Sequence, residues 1–295
     1  MKRLGMVSLS FALCLAPAGA QTPEQRKETV AYLQRLQGSN GGFLADWSRA
    51  SRWKASPSLG ATTAAARALH HFGGQPRASK ACAEFVKKCF DRDSGAFADH
   101  PGGKPDVITT AVGMMAVVEL KLPREAYAQR AVKYLAEHAR GFEEIRMAAA
   151  GVEAAGKRPE QSRGWLEQLG KMRNAAGDFG QGDGAARDTG GAIVAVIRLG
   201  GTADHKARVL KTLRAGQRVD GGFGKAGAGS DLETSYRVMR AFMMLKEQPN
   251  RPRRCREFVA KCRNADGGYG VGPGKPSGAA GTYFASQILH WLDEK

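Results

Sequence analysis

Four acidic residues lie at or near the starts of apolar stretches of the sequence, where their carboxylates are well placed to do chemistry. Asp106 lies in KPDVITT, Asp188 in ARDTGG, and Asp231 and Glu233 in GSDLETS. If these stretches are helices, such a side chain can accept hydrogen bonds from the free backbone N–H groups of the first turn. If the starts also share one rim of a cavity, the four carboxylates can bind a cation or a basic ligand. Both interpretations stay open here, and the four residues are the candidate catalytic groups.

The elements that would position these carboxylates are marked by a repeated phrase of glycines followed by an aromatic residue. It reads QGSNGGF, DRDSGAF, NAAGDFG, RVDGGFG and RNADGGYG, and a degenerate copy, ARGFEEI, fills the largest gap. The aromatic residues are Phe43, Phe97, Phe142, Phe179, Phe223 and Tyr269, at intervals of 37 to 54 residues. A period of about 45 residues is typical of a unit of two helices. The sequence therefore predicts six helix-pair units.

The stretches on the two sides of the phrase differ in kind. Those before it, such as SKACAEFVKKCF and RPRRCREFVAKCR, have apolar residues three or four apart and basic residues on the other face. Those after it, such as VITTAVGMMAVVEL and GTYFASQILHWL, are apolar or small nearly all round, which is typical of a buried helix. We predict an all-α fold, an α/α toroid (α6/α6 barrel) with buried helices inside and surface helices outside. A closed ring is favoured over an open solenoid, because the last stretch lacks the polar face of a terminal capping unit.

The glycine phrase itself indicates a turn rather than a site. Glycine makes up 38 of the 295 residues, against a usual share of about 7%, and much of the excess lies in these connectors. Glycine permits the positive φ angles that tight turns need. No strand precedes the phrase, as a nucleotide-binding loop would require. We therefore expect the aromatic residue to fill the gap between the two layers of helices.

Four cysteines occur in two matching segments of the form C-x-E-F-V-x-K-C. They are Cys82 and Cys89 in one segment, and Cys255 and Cys262 in the other. Seven residues of helix separate the members of a pair by about 10 Å, too far for a disulfide. In a six-unit ring the two segments belong to units that are not neighbours. We expect four buried free thiols.

Two long segments carry a resemblance to a known family. The pattern EFVKKC…GAF…TTAVGMMAVVEL and the pattern EFVAKCRNADGGYGVGPG…GTYFASQILHWL resemble the repeats of protein prenyltransferase β subunits, most of all the geranylgeranyl transferase type 2 β subunit. They are more distantly similar to the squalene and terpene cyclases. The resemblance covers residues 21–295. It implies an α6/α6 barrel whose aromatic-lined central cavity holds an isoprenoid chain.

The resemblance also implies a zinc site, which the residues do not match. Enzymes of this family hold zinc through an aspartate, a cysteine two residues later and a histidine at the start of a later inner helix. Here Asp231 fits the aspartate, but Glu233 replaces the cysteine and Gly281 the histidine. An aspartate and a glutamate alone do not form a tetrahedral zinc site. We therefore predict no metal and no other cofactor.

Ligand-binding residues are predicted on the same grounds. Lys225 lies near a position where the family has an arginine that binds diphosphate, whereas Ala228 stands where a lysine is usual. Tyr236 and Tyr283 are aromatic residues in stretches predicted to be inner helices. We take Lys225, Tyr236 and Tyr283 as candidate ligand-binding residues.

A terpene-cyclase activity would need a different motif. Cyclases that protonate an alkene use D-x-D-D-T, because the neighbouring carboxylates keep the central acid protonated. The nearest stretch, ARDTGG, matches only at Asp188 and Thr189, and Arg187 favours the ionised form of Asp188. Whether the protein is an enzyme therefore stays open.

The N-terminus has the pattern of a secretory leader. A basic pair precedes an apolar run from Leu4 to Pro17, and the small residues AGA precede Gln21. We predict a cleaved signal peptide at residues 1–20 and a secreted or periplasmic mature chain of residues 21–295. No later segment has eighteen consecutive apolar residues, so we do not expect a membrane span.

Charge and fold together leave three hypotheses of function. The chain carries a net charge of +17 and retains +15 without the leader, which favours anionic partners through a long-range field, although secretion argues against nucleic acid. The first hypothesis is a secreted prenyltransferase-like toroid that binds an apolar, isoprenoid-like small molecule or lipid in its central cavity, with prenyl transfer left open. The second is a non-catalytic interaction ring that docks on anionic envelope polymer. The third is a terpene-cyclase-like enzyme.

Overall fold

The computed structural model describes residues 21–46 and 56–294. The predicted leader at residues 1–20 lies outside these residues, as do Trp47 and Trp53 of the first connector, for which covering one end of the cavity and packing on it both stay open. Twelve α-helices are formed in the described part of the chain. They are α1 (Pro23–Arg35), α2 (Leu59–His71), α3 (Ser79–Lys88), α4 (Val107–Glu119), α5 (Glu125–His138), α6 (Phe142–Ala155), α7 (Gln161–Lys171), α8 (Ala185–Arg198), α9 (Lys206–Ala215), α10 (Leu232–Leu245), α11 (Pro252–Lys261) and α12 (Ala279–Asp293).

The described parts of the connectors between these helices contain two short strand pairs and one 3₁₀ turn. Strands β1 (Phe90–Asp91) and β2 (Ala96–Phe97) form an antiparallel pair, with Phe90 opposite Phe97. A second antiparallel pair is formed by β3 (Phe223–Gly224) and β4 (Ser230–Asp231). A 3₁₀ turn at Gly182–Gly184 leads into α8. No helix in the two described ranges combines the length and the apolar character needed to cross a membrane.

The even-numbered helices form an inner ring and the odd-numbered helices lie outside it. Each inner helix packs on the next, and α12, the last, packs on α2, the first. The outer layer also closes, because Thr29 of α1 donates its hydroxyl to the Gly267 carbonyl at 2.8 Å and Arg263 bonds Glu28 at 2.6 Å. An outer helix returns the chain between consecutive inner helices, so the inner helices run in one direction. The predicted all-α, closed α6/α6 toroid is confirmed.

The phrase aromatics fill the space between the layers, as expected. Phe43, Phe97, Phe179, Phe223 and Tyr269 are each at most 2% exposed. The degenerate copy differs, because Phe142 is half-buried and is already the first residue of α6. Only three residues separate α5 from α6, so this unit has no room for the glycine turn.

Five connectors share a hydrogen bond that the sequence analysis did not foresee. The backbone N–H of the phrase aromatic donates to a hydroxyl in the first turns of the following inner helix. The acceptors are Thr62 (2.9 Å), Thr110 (3.1 Å), Thr189 (3.1 Å), Ser235 (3.0 Å) and Thr282 (3.1 Å). Each bond satisfies a buried backbone N–H that lies in a connector and therefore has no partner within a helix. A Thr or Ser twelve to nineteen residues after most aromatics, and ten after Phe179, is the sequence signal for it.

Replacing one of these hydroxyls is expected to destabilise the ring. Thr282→Val keeps the shape of the side chain but leaves the Tyr269 N–H without its acceptor. An unsatisfied buried donor costs about 1–3 kcal/mol, whereas Thr282→Ser keeps the hydroxyl and should cost less. Denaturant unfolding of both variants measures the difference. Equal unfolding midpoints for the valine and serine variants would show that the hydroxyl contributes nothing.

The four cysteines of the described chain are free and buried, as expected. Burial raises the pKa of each thiol to about 12. Cys82 and Cys255 occupy matching positions on the inward faces of α3 and α11. The thiols therefore act as small apolar groups in the packing between the layers.

Candidate functional site

The inner ring encloses a cavity of about 360 Å³ to which all six inner helices contribute. Gly60, Glu233 and Ala280, in the first turns of α2, α10 and α12, border it at one rim. Arg67 and Arg198, in the second halves of α2 and α8, border it deeper in the ring. We call these two ends the mouth and the floor. The wall between them is mostly apolar and consists of Ala64, Val112, Met115, Met147, Ala150 and Phe284.

The mouth carries a network of ion pairs. Arg237 donates two hydrogen bonds to Glu143, at 2.8 and 3.0 Å, and a third to Glu233 at 3.2 Å. Arg146 donates two to the same Glu143, at 3.0 and 2.8 Å. Burial alone would raise the pKa of Glu143, but these bonds outweigh it and lower that pKa to about 2. The terminal atoms of these groups therefore hold one another in place.

The floor is built from two tyrosines and three arginines. Arg67 Nη1 donates to Tyr283 Oη at 2.6 Å, and the Tyr283 and Tyr236 hydroxyls lie 2.9 Å apart. Arg240 Nη1 donates to Tyr236 Oη at 3.3 Å. This chain of bonds joins α2, α12 and α10 across the ring. It places hydrogen-bonded polar groups at this end of the cavity.

Arg198 completes the floor from α8. Its Nε lies 2.9 Å from Glu153 Oε2, although the geometry is not that of a hydrogen bond. The residue is only 7% exposed, and that exposed part faces the cavity. Arg240 Nη2 lies 4.0 Å from the same carboxylate oxygen. One glutamate is thus shared between two buried arginines.

The tyrosines of the floor differ in acidity. Burial would raise the pKa of Tyr236, but Arg240, Arg67, Arg198 and the hydrogen bond from Tyr283 outweigh it and lower that pKa from 10.0 to about 7. Burial and the neighbouring Tyr236 raise the pKa of Tyr283. Tyr236 is therefore the more acidic hydroxyl of the pair, and Tyr283 keeps its proton to higher pH.

The candidate acids have separate placements. Asp106 and Asp231 are helix N-caps, and each accepts a backbone N–H of its own helix at 2.7 Å, from Thr109 and Thr234 respectively. Asp188 is not a cap, because it is the fourth residue of α8, and it lies 3.7 Å from Arg187. Of the four, Glu233 alone lines the cavity.

Two of the three candidate ligand-binding residues line the cavity, and the third does not. Tyr236 and Tyr283 line its floor. Lys225 is exposed and pairs with Glu233 at 3.5 Å. Glu233 also lies 3.6 Å from Arg187 and 3.2 Å from Arg237, so three cations surround it.

The residues at the zinc position of the family do not fit the metal. Both oxygens of Asp231 are engaged by Thr234, at 2.7 and 2.9 Å. A Cβ added at Gly281 would lie 2.4 Å from the Tyr269 carbonyl oxygen, so a histidine has no space there. No group of three or more His, Cys, Asp or Glu side chains in residues 21–46 and 56–294 is arranged to hold a metal ion.

The arginines of the cavity were not identified from the sequence. Arg146, Arg237 and Arg240 have other polar residues near them, in FEEIRMA and LETSYRVMRAF, but Arg67 and Arg198 lie in stretches that are otherwise mostly apolar or small, AARALHH and VAVIRLG. An isolated charge in a helix without a polar face is the signal that could have identified these two, since buried charges require partners. On the outer helices, by contrast, arginine is one of many surface cations.

Comparison with known proteins identifies the fold family. A family model for the prenyltransferase alpha-alpha toroid domain matches residues 6–156 and 127–295. No curated protein matches the chain.

Three solved structures share the fold. Candida albicans protein geranylgeranyltransferase-I complexed with GGPP has a TM-score of 0.69 at 13% identity, over 92% of each chain. A variant of the type II terpene cyclase MstE from Scytonema, in complex with geranylgeranyl dihydroxybenzoate, has a TM-score of 0.62 at 12% identity, over 91% of this chain and 95% of that one. A glycosidase variant in complex with glucose has a TM-score of 0.58 at 13% identity, with 91% and 95% covered. Such low identities show a common fold alone. On the match of the family model, which spans most of the sequence, this chain belongs to the prenyltransferase alpha-alpha toroid family.

Proposed function

We propose that this protein binds an apolar, isoprenoid-like ligand in the central cavity of its toroid. The observation that carries the proposal is the cavity itself, about 360 Å³ with a mostly apolar wall and hydrogen-bonded tyrosines at its floor. That volume lies within the range of small-molecule sites. The flexible side chains of Met115 and Met147 adapt readily to an irregular chain.

The structural relatives support an isoprenoid as the apolar group. The Scytonema cyclase variant holds geranylgeranyl dihydroxybenzoate, and the Candida transferase holds GGPP. The proposal transfers to this chain only the class of ligand. The predicted leader at residues 1–20 would deliver the mature protein to the periplasm or the exterior, so a lipid from an envelope is a source compatible with that prediction.

Binding, rather than prenyl transfer or cyclisation, is the function proposed. Zinc-dependent transfer lacks its ligands, because Gly281 leaves no space for a histidine. Cyclisation by alkene protonation needs a protonated acid in the cavity. Among the described lining residues, Glu233 is the only carboxylic acid, and three cations surround it.

Filling the cavity is expected to abolish binding without unfolding the protein. Ala64 is half-buried on the wall, so Ala64→Trp places an indole in the space for the ligand. Ala260→Trp, at an exposed position of α11, is the matched control. We expect farnesol affinity, measured by calorimetry, to fall at least tenfold in Ala64→Trp and to stay unchanged in Ala260→Trp.

Two results would contradict the proposal. One is that wild-type protein binds none of farnesol, farnesoic acid and farnesyl diphosphate. The other is that both tryptophan variants bind as the wild type does, which would place the ligand outside the cavity. Thermal unfolding of both variants shows whether each one is folded when its affinity is measured.

A further inference from the structure

Resting on the proposed function, we propose that the ligand is a carboxylic acid with an apolar chain, and that it enters head-first so that Arg198 binds its carboxylate at the floor. The chain then lies along the wall toward the mouth. This orientation places the charged end deep in the ring rather than at the rim.

The first support is that Arg198 is buried and has unused donors. The residue is 93% buried and lines the cavity. Neither of its terminal nitrogens has a hydrogen-bond partner in the described part of the chain, and its Nε makes no hydrogen bond either. A guanidinium normally satisfies its donors when buried, and its two terminal nitrogens match the two oxygens of a carboxylate.

The second support is the charge balance of the floor. Three arginines, Arg67, Arg198 and Arg240, face two carboxylates, Glu119 and Glu153. Glu119 is also shared with His70, which lies 2.8 Å away. The three arginines exceed the two carboxylates by one charge, which the Tyr236 phenolate offsets only above its pKa of about 7. Below that pH the floor lacks one negative charge. A monocarboxylate supplies that charge, whereas a neutral ligand leaves the imbalance in place.

The acidity of Arg198 agrees with this shortage. Burial, followed by the positive charge of Arg240, lowers the pKa of Arg198 to about 10, despite Glu153. A buried cation without full compensation is costly to a fold. A bound anion would balance the positive charge of Arg198 and so reduce this cost.

The third support is the contrast with the mouth. Both terminal nitrogens of Arg237 are bonded to Glu143 and Glu233. Arg146 uses its Nε and one terminal nitrogen on Glu143. The second terminal nitrogen of Arg67, at the floor, has no hydrogen-bond partner among the described residues. Within residues 21–46 and 56–294, Arg146 thus leaves one terminal nitrogen free at the mouth, whereas Arg198 and Arg67 together leave three free at the floor.

The test compares three probes of one chain length on the full mature protein. They are farnesoic acid, farnesol and farnesyl diphosphate. Affinities are measured by calorimetry, below the pKa of Tyr236, for the wild type and three variants. Arg198→Met removes the charge and keeps an apolar side chain of similar length. Arg256→Met is the matched control, because Arg256 on the outer helix α11 is 8% exposed, pairs with Asp293 at the end of α12 and does not line the cavity.

We expect wild-type protein to bind the acid at least tenfold more tightly than the alcohol. Arg198→Met should lower the affinity for the acid to the level of the alcohol, and the affinity for the alcohol should not change. Arg256→Met should bind the acid more tightly than the alcohol, as the wild type does. Arg198→Lys keeps the charge but loses the two-pronged geometry. It should give an intermediate preference, so the assignment can be tested even if Arg198→Met does not fold.

Three results overturn the inference and leave the proposed function standing. They are equal affinities for acid and alcohol, an equal loss of both in Arg198→Met, and a diphosphate that binds more tightly than the acid and does not respond to Arg198→Met. The last would place the anionic end at the mouth. Absence of binding for all three probes would instead remove the proposed function itself.

Discussion

Gly221→Ala is expected to lower the free energy of unfolding by about 2–5 kcal/mol. Gly221 has φ +92°, and a Cβ there would lie 2.1 Å from the Arg254 carbonyl carbon in α11. The substitution therefore combines backbone strain with a clash against backbone that cannot rotate away. The connector would have to withdraw from the neighbouring outer helix, which would loosen the packing of Phe223 behind it.

Gly227→Ala provides the matched control. Gly227 also has a positive φ, +68°, but a Cβ there would meet nothing within 4 Å. Only the strain of the left-handed conformation remains, which costs about 1–2 kcal/mol. Denaturant unfolding of the two variants separates strain from contact. If the two variants lose the same free energy of unfolding, the close contact between Gly221 and α11 adds nothing to the cost of backbone strain.

Tyr236→Phe is expected to remove a dependence of stability on pH between about 7 and 10. The folded-state pKa of Tyr236 lies near 7, below its ordinary value of 10.0. Its phenolate therefore stabilises the folded state fully above pH 10, and this contribution is lost as the pH falls toward 7. Each pH unit within that window changes the free energy of unfolding by at most about 1.4 kcal/mol.

The charged groups around Tyr236 explain the sign. Arg67 faces it from α2, Arg198 from α8 and Arg240 from its own helix, while Tyr283 of α12 donates a hydrogen bond. Glu153 of α6, which lies beside Arg198 and Arg240, only partly offsets these cations.

The pH prediction is checked by unfolding curves and by the near-ultraviolet absorbance of phenolate. Wild-type protein should show a phenolate that titrates well below pH 10, and Tyr236→Phe should lack it. Tyr127→Phe is the control, because Tyr127 packs against Phe90 and Phe97, away from the cavity lining. Parallel stability profiles for wild type and Tyr236→Phe between pH 7 and 10 would show that Tyr236 does not ionise in that window.

The fold was predictable because its signals are repeated. Glycine phrases and alternating helix types recur along the chain, so single irregular copies do not obscure the period. The unit around Phe142 is an instance, since its connector is too short for a glycine turn and yet α6 takes its place in the ring. Because the six helix pairs are equivalent, one short connector does not change how the inner helices pack.

The site was less predictable because its residues are brought together by ring closure. Arg67 and Tyr283 are 216 residues apart in sequence and 2.6 Å apart in space. Asp188 shows the opposite difficulty, because a three-residue 3₁₀ turn shifts the start of α8 and places it inside the first turn. Neither the partner of a buried arginine nor a shift of a helix start is visible in a periodic pattern.

The most direct test of ligand binding in the cavity is photo-crosslinking with a farnesol analogue that carries a diazirine on its chain, followed by peptide mapping. Binding in the central cavity predicts labels on the wall residues Met115, Met147 and Phe284, on α4, α6 and α12. It also predicts that Ala64→Trp removes these labels. Labels confined to the outer helices, or unchanged by Ala64→Trp, would contradict a ligand site in the centre of the toroid.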